Sequence, residues 1–119
     1  MPDAPAPSPE DLAALSAAGW TLAPDGKAIR KVWAFRGFSD AWGFMTRAAL
    51  AAEKLNHHPD WANRFNIVDV TLTTHATGGL STLDVTLARR LDKLAGGAEV
   101  RPAPGDARSA CENRPRQES

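Results

Sequence analysis

The pattern of apolar and polar positions changes its period along the chain, and the change predicts where helices and strands lie. Between residues 41 and 55, apolar side chains recur at helical spacing, which is typical of a helix with one face on a core. We expect this helix to begin with Ser39 as its N-cap and to end near Asn56, because Pro59 disfavours helical geometry in the preceding residue. Between residues 67 and 75, apolar and polar side chains alternate, which predicts a strand. The side chains predicted to face the core from this strand are Val68, Val70 and Leu72.

Capping signals predict two further helices. Residues 8–11 combine an N-cap serine, a proline in the first turn and an acid at the capping-box position. A short helix should follow and end at Gly19, where glycine can take the left-handed conformation. Ser81 and Asp84 form the same capping box, so a third helix should begin there and end at the glycine pair 96–97.

Residues 20–22 and 28–38 are strand-like and flank the turn sequence Pro24-Asp25-Gly26, which predicts a β-hairpin. The order of elements is then helix, hairpin, helix, one or two strands, and helix. This order offers few parallel crossovers and favours an α+β fold, in which an antiparallel sheet carries its helices on one face.

The two ends of the chain differ from its middle in composition. Residues 1–7 are rich in proline and alanine, and residues 98–119 contain almost no large apolar side chain. Such segments bury too little apolar surface to offset the entropy of ordering, so we expect both to be disordered. Residues 8–97 are then a single domain.

Charge and cysteine content exclude several classes of function. The 14 basic and 14 acidic residues cancel, so no basic field suggests direct binding of nucleic acid. Cys111 is the single cysteine, which excludes an internal disulfide and a cysteine-based zinc site and fits a reducing compartment. Neither a signal-peptide pattern nor a run of about 18 apolar residues is present, so we expect a cytoplasmic protein without a membrane partner.

All three histidines, His57, His58 and His75, lie in a stretch from Glu53 to Asp84. Histidine is the side chain whose proton moves most readily near neutral pH. Taken alone, each residue has an ordinary structural explanation: Asp84 caps a helix, and Glu53 lies at a helix end. Taken together, they indicate an acid/base site built from a helix end, a strand end and a helix cap, in which Asp84 orients an imidazole.

Three other kinds of site fit this stretch poorly. Adjacent histidines match neither the helical nor the strand spacing of zinc ligands, so we expect no metal. No Gly-x-Ser-x-Gly sequence supports a nucleophilic serine, and no glycine-rich sequence with a lysine supports a phosphate loop. The pattern predicts a metal-free acid/base site for a flat polar ligand, against which Trp61 could stack.

A set of motifs within residues 8–95 adds to this picture. It comprises Phe44-Met45-Thr46-Arg47, the block Ala52-Glu53-Lys54-Leu55-Asn56-His57-His58-Pro59-Asp60-Trp61, the Val-x-Val-x-Leu-x-Thr-His run that ends at His75, and Gly79-Leu80-Ser81 followed by Asp84. With these motifs the chain resembles the pterin-4a-carbinolamine dehydratase family, also known as dimerisation cofactors of a homeodomain transcription factor. The resemblance implies an α+β fold with a four-stranded antiparallel sheet and three helices packed on one face, in the order α-β-β-α-β-β-α.

The resemblance also implies an activity. Members of this family dehydrate 4a-hydroxytetrahydrobiopterin, or a related 4a-hydroxytetrahydropterin, to the quinonoid dihydropterin, without a metal or an organic cofactor. The reaction recycles the cofactor of aromatic amino acid hydroxylases, so a hydroxylase is implied in the same pathway. A homodimer or homotetramer is implied as well.

The family's site residues can be assigned to the matching positions of this chain. The resemblance then implies that the three histidines line the pterin site. The resemblance implies that His57 and His75 are the acid/base groups and that His58 contacts or shapes the ligand. The other implied site residues are Glu53, which bonds the pterin or positions a histidine, Asp84, which orients a histidine, and Pro59 and Trp61, which wall the pocket.

Three residues depart from the family pattern just after this block. Ala62 and Arg64 stand where larger apolar or aromatic residues are expected, and Phe65 stands where a tyrosine is common. These changes could alter the edge of the ligand site or an oligomer contact. An alternative function stays open as well: a pterin-binding or dimerisation module that assists a regulator or a molybdopterin pathway without dehydratase turnover.

Overall fold

The computed structural model describes residues 4–102, which form three α-helices and one five-stranded antiparallel sheet. The helices are α1 (Pro9–Ala17), α2 (Phe38–Leu55) and α3 (Thr82–Ala95). The strands are β1 (Thr21–Leu22), β2 (Ile29–Ala34), β3 (Asp60–Arg64), β4 (Ile67–Leu72) and β5 (Glu99–Arg101). The predicted α+β class and the order of elements up to α3 are confirmed. Within residues 4–102, no helix is long and apolar enough to cross a membrane.

The sheet has the strand order β1-β2-β4-β3, with β5 also paired to β2. The central strands β2 and β4 run antiparallel, from Ile29 opposite Leu72 to Ala34 opposite Ile67. The short strand β1 and the strand β5 share one edge, beside the first and the last residues of β2 respectively. The other edge is β3, which a turn at residues 65–66 joins to β4.

The fifth strand corrects two expectations, a sheet of four strands and a disordered tail that begins at residue 98. Glu99–Arg101 pairs with residues 32–34 of β2, along the part of the edge that the two-residue β1 leaves open. Backbone hydrogen bonds can hold such a strand, so the lack of large apolar side chains does not prevent its ordering. The expectations for residues 1–3 and 103–119 lie outside the described part of the chain.

The N-terminal segment is attached to α3. The carbonyl of Pro5 accepts a hydrogen bond from the N–H of Thr82 at 2.8 Å, in the first turn of α3, where N–H groups have no partner within the helix. The segment expected to be disordered therefore contributes Pro5 to the fold. Ser8 and Asp11 form the predicted capping box at the start of α1, with hydrogen bonds of 3.0 and 3.3 Å.

The core lies between the helices and one face of the sheet. Val68, Val70 and Leu72 are buried, as the alternation predicts, in one cluster with the apolar stripe of α2. Phe44 of α2 packs on Trp33 of β2 with ring centroids 5.1 Å apart. Because burying such a side chain contributes about 1.5–3 kcal/mol, these contacts fix α2 on the sheet and so fix the position of its last turn.

The start of α2 differs from the prediction by one residue. Ser39 was expected as the N-cap, but the helix begins at Phe38 and the N-cap is Gly37, in extended geometry and without a side-chain hydrogen bond. Glycine is acceptable at an N-cap because the position needs extended backbone more than a side chain. Asp40 lies in the first turn, where a negative charge is favourable beside the free N–H groups.

Lys31 interrupts the apolar face of β2 and is nevertheless buried, with 5% of its surface exposed. Its ammonium group donates to the carbonyl of Ala18 at 2.6 Å and to the carboxylate of Asp92 at 2.7 Å. The indole N–H of Trp20 donates to the same carboxylate at 3.1 Å. This network joins the end of α1, the strand β2 and the helix α3, and so holds α3 in place relative to the sheet.

Candidate active site

The end of α2 places two adjacent histidines in different surroundings. Asn56 caps the helix in the left-handed conformation, with φ +52° and ψ +42°, which asparagine tolerates better than most residues. The next residue, His57, donates its backbone N–H to the carbonyl of Ala52 at 3.1 Å. The side chain of His57 is buried, whereas that of His58 is exposed. The turn at Asn56 thus directs one imidazole inward and the other outward.

His57 is paired with the carboxylate of Asp84. Its Nε2 atom lies 2.6 Å from Oδ1 of Asp84, and the two side chains are 10% and 1% exposed. A hydrogen bond between buried polar groups is strong and fixes the orientation of both partners. Because Nε2 is used in this bond, Nδ1 is the ring nitrogen that remains for a ligand.

The carboxylate of Asp84 has two further donors on its other oxygen. Oδ2 accepts from the backbone N–H of Ser81 at 2.9 Å, as the predicted capping box requires, and from the hydroxyl of Thr74 at 2.6 Å. The Thr74 and Ser81 hydroxyl oxygens lie 2.7 Å apart. Asp84 therefore caps α3 and holds His57 at the same time, so its two predicted roles are compatible.

Thr74 is the member of this arrangement that the motifs did not indicate. It is buried, with 4% of its surface exposed. A signal was present, because Thr74 continues the even-numbered series of Val68, Val70 and Leu72 toward the core. A hydroxyl at a core-facing position needs a hydrogen-bond partner, and Asp84 is that partner.

His58 is paired with Glu53 on the surface. Nε2 of His58 lies 2.8 Å from Oε1 of Glu53, but the side chains are 57% and 77% exposed. The carboxylate of Glu53 therefore lies largely in solvent. An exposed pair of this kind contributes little stability, so its effect is mainly on the orientation of His58.

His75 is reached through a loop, and the predicted strand that ends at this residue is too long. β4 ends at Leu72, and His75 opens a single 3₁₀ turn, His75–Thr77. The loop closes where Thr74 and Gly79 pair through backbone hydrogen bonds of 3.0 and 3.2 Å, with Gly78 at φ +75° between them. A left-handed residue is needed to reverse the chain so tightly, and glycine supplies it.

A cleft of about 470 Å³ brings the three histidines together. This volume is within the range of small-molecule sites, which is about 300–1,000 Å³. The cleft lies between the end of α2, the start of β3 and the loop after β4. Its lining comprises Asn56, His57, His58, Pro59, Asp60, Thr73, Thr74, His75, Ala76 and Leu83.

The other predicted site residues stand around this cleft in different ways. Pro59 lines it. Glu53 and Asp84 do not line it and act through His58 and His57 respectively. Trp61, expected as a wall, is only partly buried and packs against the core from β3, so it is not among the lining residues. Asp60 takes its place at that rim.

The side chains of this site are suited to proton transfer. Within residues 4–102, no three histidine, cysteine or acidic side chains are grouped so that they could hold a metal ion. The buried His57 and the exposed His75 line the same cleft. His57 follows the end of α2, and His75 lies in the loop after β4. Two imidazoles placed in this way can give a proton to one atom of a ligand and take a proton from another.

Comparison with known proteins gives a consistent result. The family model described as "Pterin 4 alpha carbinolamine dehydratase" matches residues 5–94. A protein of Mesorhizobium japonicum is 54% identical over 86 residues, which are 71% of this chain and 88% of that protein. A protein of Sinorhizobium fredii is 57% identical over 79 residues, 66% of this chain and 75% of its own length. Both carry the name "Putative pterin-4-alpha-carbinolamine dehydratase".

Solved structures show the same architecture. A crystal structure of a "transcriptional coactivator/pterin dehydratase" from Brucella melitensis is 44% identical, with a TM-score of 0.68, and covers 76% of this chain and 99% of its own. A "pterin dehydratase-like protein" described as a RuBisCO assembly factor is 24% identical, with a TM-score of 0.57, and shows a similar fold. The family match covers α1, α2, the strands β1–β4, all of α3 but its last residue, and the whole cleft, and the chain therefore belongs to the pterin 4 alpha carbinolamine dehydratase family.

Proposed function

We propose that this protein dehydrates a 4a-hydroxytetrahydropterin to the quinonoid dihydropterin by general acid/base catalysis. The observation that carries the proposal is the convergence of His57, His58 and His75 on one cleft, with Asp84 bonded to His57 and Glu53 to His58. Membership of a family named for this reaction supports the choice of substrate class.

The dehydration requires two proton transfers. The bond between C4a and its hydroxyl oxygen breaks, and the oxygen must gain a proton to leave as water. The adjacent ring N–H must lose a proton as the new C=N bond forms. A positioned acid or base accelerates such a step about 10²–10⁴-fold. One imidazole can serve as the acid and the other as the base, so two imidazoles can carry out both proton transfers.

We assign these transfers to His57 and His75. The hydrogen bond to Asp84 keeps the imidazole of His57 in one orientation, with Nδ1 free for the ligand. His75 is exposed and lines the cleft from the loop after β4, within reach of solvent. His58, which Glu53 orients, contacts the pterin, and Pro59 forms part of the wall.

The finer parts of the proposal follow from the resemblance. The substrate is 4a-hydroxytetrahydrobiopterin or a pterin with a different side chain, and the reaction serves recycling of a hydroxylase cofactor in the cytoplasm. The protein works as a homo-oligomer. A comparison of turnover with two pterins that differ only in the side chain at the pteridine ring would identify the preferred substrate.

The decisive experiment is a dehydration assay. Freshly generated 4a-hydroxytetrahydropterin is mixed with the protein, and formation of the quinonoid product is followed by absorbance against buffer alone. We expect His57→Ala and His75→Ala each to lower the rate about 10²–10⁴-fold. Lys93→Ala, an exposed change on the outer side of α3, serves as the matched control.

Two results would contradict the proposal. One is a wild-type rate equal to that of buffer, and the other is an undiminished rate in the double variant His57→Ala, His75→Ala. If the inactive protein also co-purified with a partner, the alternative of a binding or dimerisation module would be favoured.

A further inference from the structure

Asp60 differs from the other residues that line the cleft because its side chain can only accept hydrogen bonds. Among the described residues of the lining it alone has a carboxyl group, whereas the imidazoles and the amide of Asn56 can both donate and accept. Asp60 is exposed at the start of β3. Within residues 4–102, its carboxylate has no hydrogen-bond or ion-pair partner, so its oxygens are available to a ligand.

The hydroxyl of Thr73, which also lines the cleft, presents an acceptor as well. It donates its proton to the carbonyl of Lys27 at 2.6 Å. A hydroxyl has a single proton, so this group can offer only the lone pairs of its oxygen to a ligand. Thr73 directly follows β4, and Asp60 lies opposite Thr71 of β4, so Thr73 and Asp60 stand at the same end of the sheet. We call Asp60 and Thr73 the acceptor wall of the cleft.

A pterin has one edge that suits this acceptor wall. Its pyrimidine ring carries an N–H group at N3 beside an amino group at C2, so two donors point in the same direction. The two oxygens of a carboxylate can accept both hydrogen bonds at once, as they do from the parallel donors of an arginine side chain. The carbonyl oxygen at C4 is an acceptor, and the same carboxylate would repel it. The acceptor wall therefore favours one orientation of the ring.

We propose that Asp60 makes the cleft specific for a 2-aminopyrimidine ring by accepting hydrogen bonds from N3–H and from the amino group at C2. The pyrimidine ring then lies at the rim, and the other ring extends toward His57, whose Nδ1 is free. Asp60 is not among the site residues that the resemblance implies. The assignment rests on the proposed function, because it takes a pterin as the ligand, but it is tested by binding without any turnover.

The test compares two ligands that differ in the group at C2. One, 6,7-dimethylpterin, carries an amino group there, whereas 6,7-dimethyllumazine carries an oxygen, which is an acceptor. Calorimetric titration near neutral pH gives a dissociation constant for each ligand. We expect the wild-type protein to bind the pterin at least about tenfold more tightly, because the lumazine loses one hydrogen bond to the carboxylate and places an oxygen against it.

Asp60→Asn should reverse this preference. The amide of asparagine offers one acceptor and one donor, which match the N3–H and the C2 oxygen of the lumazine. We expect the variant to bind the lumazine about tenfold more tightly than the wild-type protein does, and the pterin about tenfold more weakly. The gain in lumazine binding is the informative part, because a loss of the fold cannot produce it.

Asp40→Asn is the matched control. It removes the same charge in the first turn of α2, at the other end of that helix from the cleft, and should leave both dissociation constants unchanged. Three results would overturn the inference. They are equal binding of the two ligands by the wild-type protein, a preference that Asp60→Asn leaves unchanged, and no binding of either ligand.

The binding test and the dehydration assay have separate outcomes. A protein that accelerates dehydration, but keeps its preference for the pterin in the Asp60→Asn variant, has the proposed function and contradicts the role of Asp60. A protein in which Asp60→Asn reverses the preference, but which does not accelerate dehydration, supports the role of Asp60 and contradicts the proposed function.

Discussion

The hydroxyl of Thr74 donates to Asp84, which in turn holds His57, and all three side chains are buried. Thr74→Val keeps the shape of the side chain and removes this donor. We expect the free energy of unfolding to fall by about 1–3 kcal/mol, because buried polar groups lose a partner. We also expect a loss of dehydration rate of the order of tenfold, because His57 is less firmly oriented. Urea denaturation and the dehydration assay measure the two effects.

Thr74→Ser is the matched control, since it keeps the hydroxyl and loses one methyl group. It should regain most of the rate while remaining slightly less stable than the wild-type protein. An equal loss of rate in Thr74→Val and Thr74→Ser would show that packing, rather than the hydrogen bond to Asp84, is what the site needs.

At the level of single residues, the sequence was most informative where one residue type has few possible roles. The histidines and the capping pair of Ser81 and Asp84 were identified because their spacing is characteristic. Contacts between distant segments could not be predicted in this way. The bond from Thr74 to Asp84 and the exposure of Glu53 depend on where the last turn of α2 meets the loop after β4.

The element that positions the histidine pair is the end of α2, where Asn56 takes the left-handed conformation. Asn56→Gly should leave the free energy of unfolding nearly unchanged, because glycine takes this conformation without strain. Asn56→Val should lower it by about 1–2 kcal/mol, since a β-branched residue is strongly disfavoured there. Urea denaturation of both variants measures the difference, and equal stabilities would contradict the importance of this cap.

Helices were predicted more accurately than strands, for a physical reason. A helix is defined by local spacing and capping, so the ends of α1 and α3 follow from residues within one turn. A strand is defined by its partner. β4 ends at Leu72 although the alternation continues, because no strand continues beside it, and β5 exists because β2 offers an open edge.

For the molecule as a whole, the family resemblance gave the layer arrangement before any contact was known. The resemblance does not show which contacts hold the helices on the sheet in this chain. Lys31 lies on an otherwise apolar face of β2, and no local pattern around it indicates its partners. In the structure it is the point where α1, β2 and α3 meet, through Ala18 and Asp92.

This junction leads to a prediction about global stability. Lys31→Met keeps the length of the side chain but removes the ammonium group, which leaves Asp92 and the carbonyl of Ala18 without this donor. We expect a loss of about 1–3 kcal/mol in the free energy of unfolding, toward the low end because Asp92 is 25% exposed and partly solvated. Arg36→Ala, which removes an exposed pair with Asp40 at 3.9 Å, should change the stability little and is the control. If the two variants unfolded at the same urea concentration, the buried network would not be what fastens α3 to the sheet, and the packing of Leu87 and Leu91 alone would account for it.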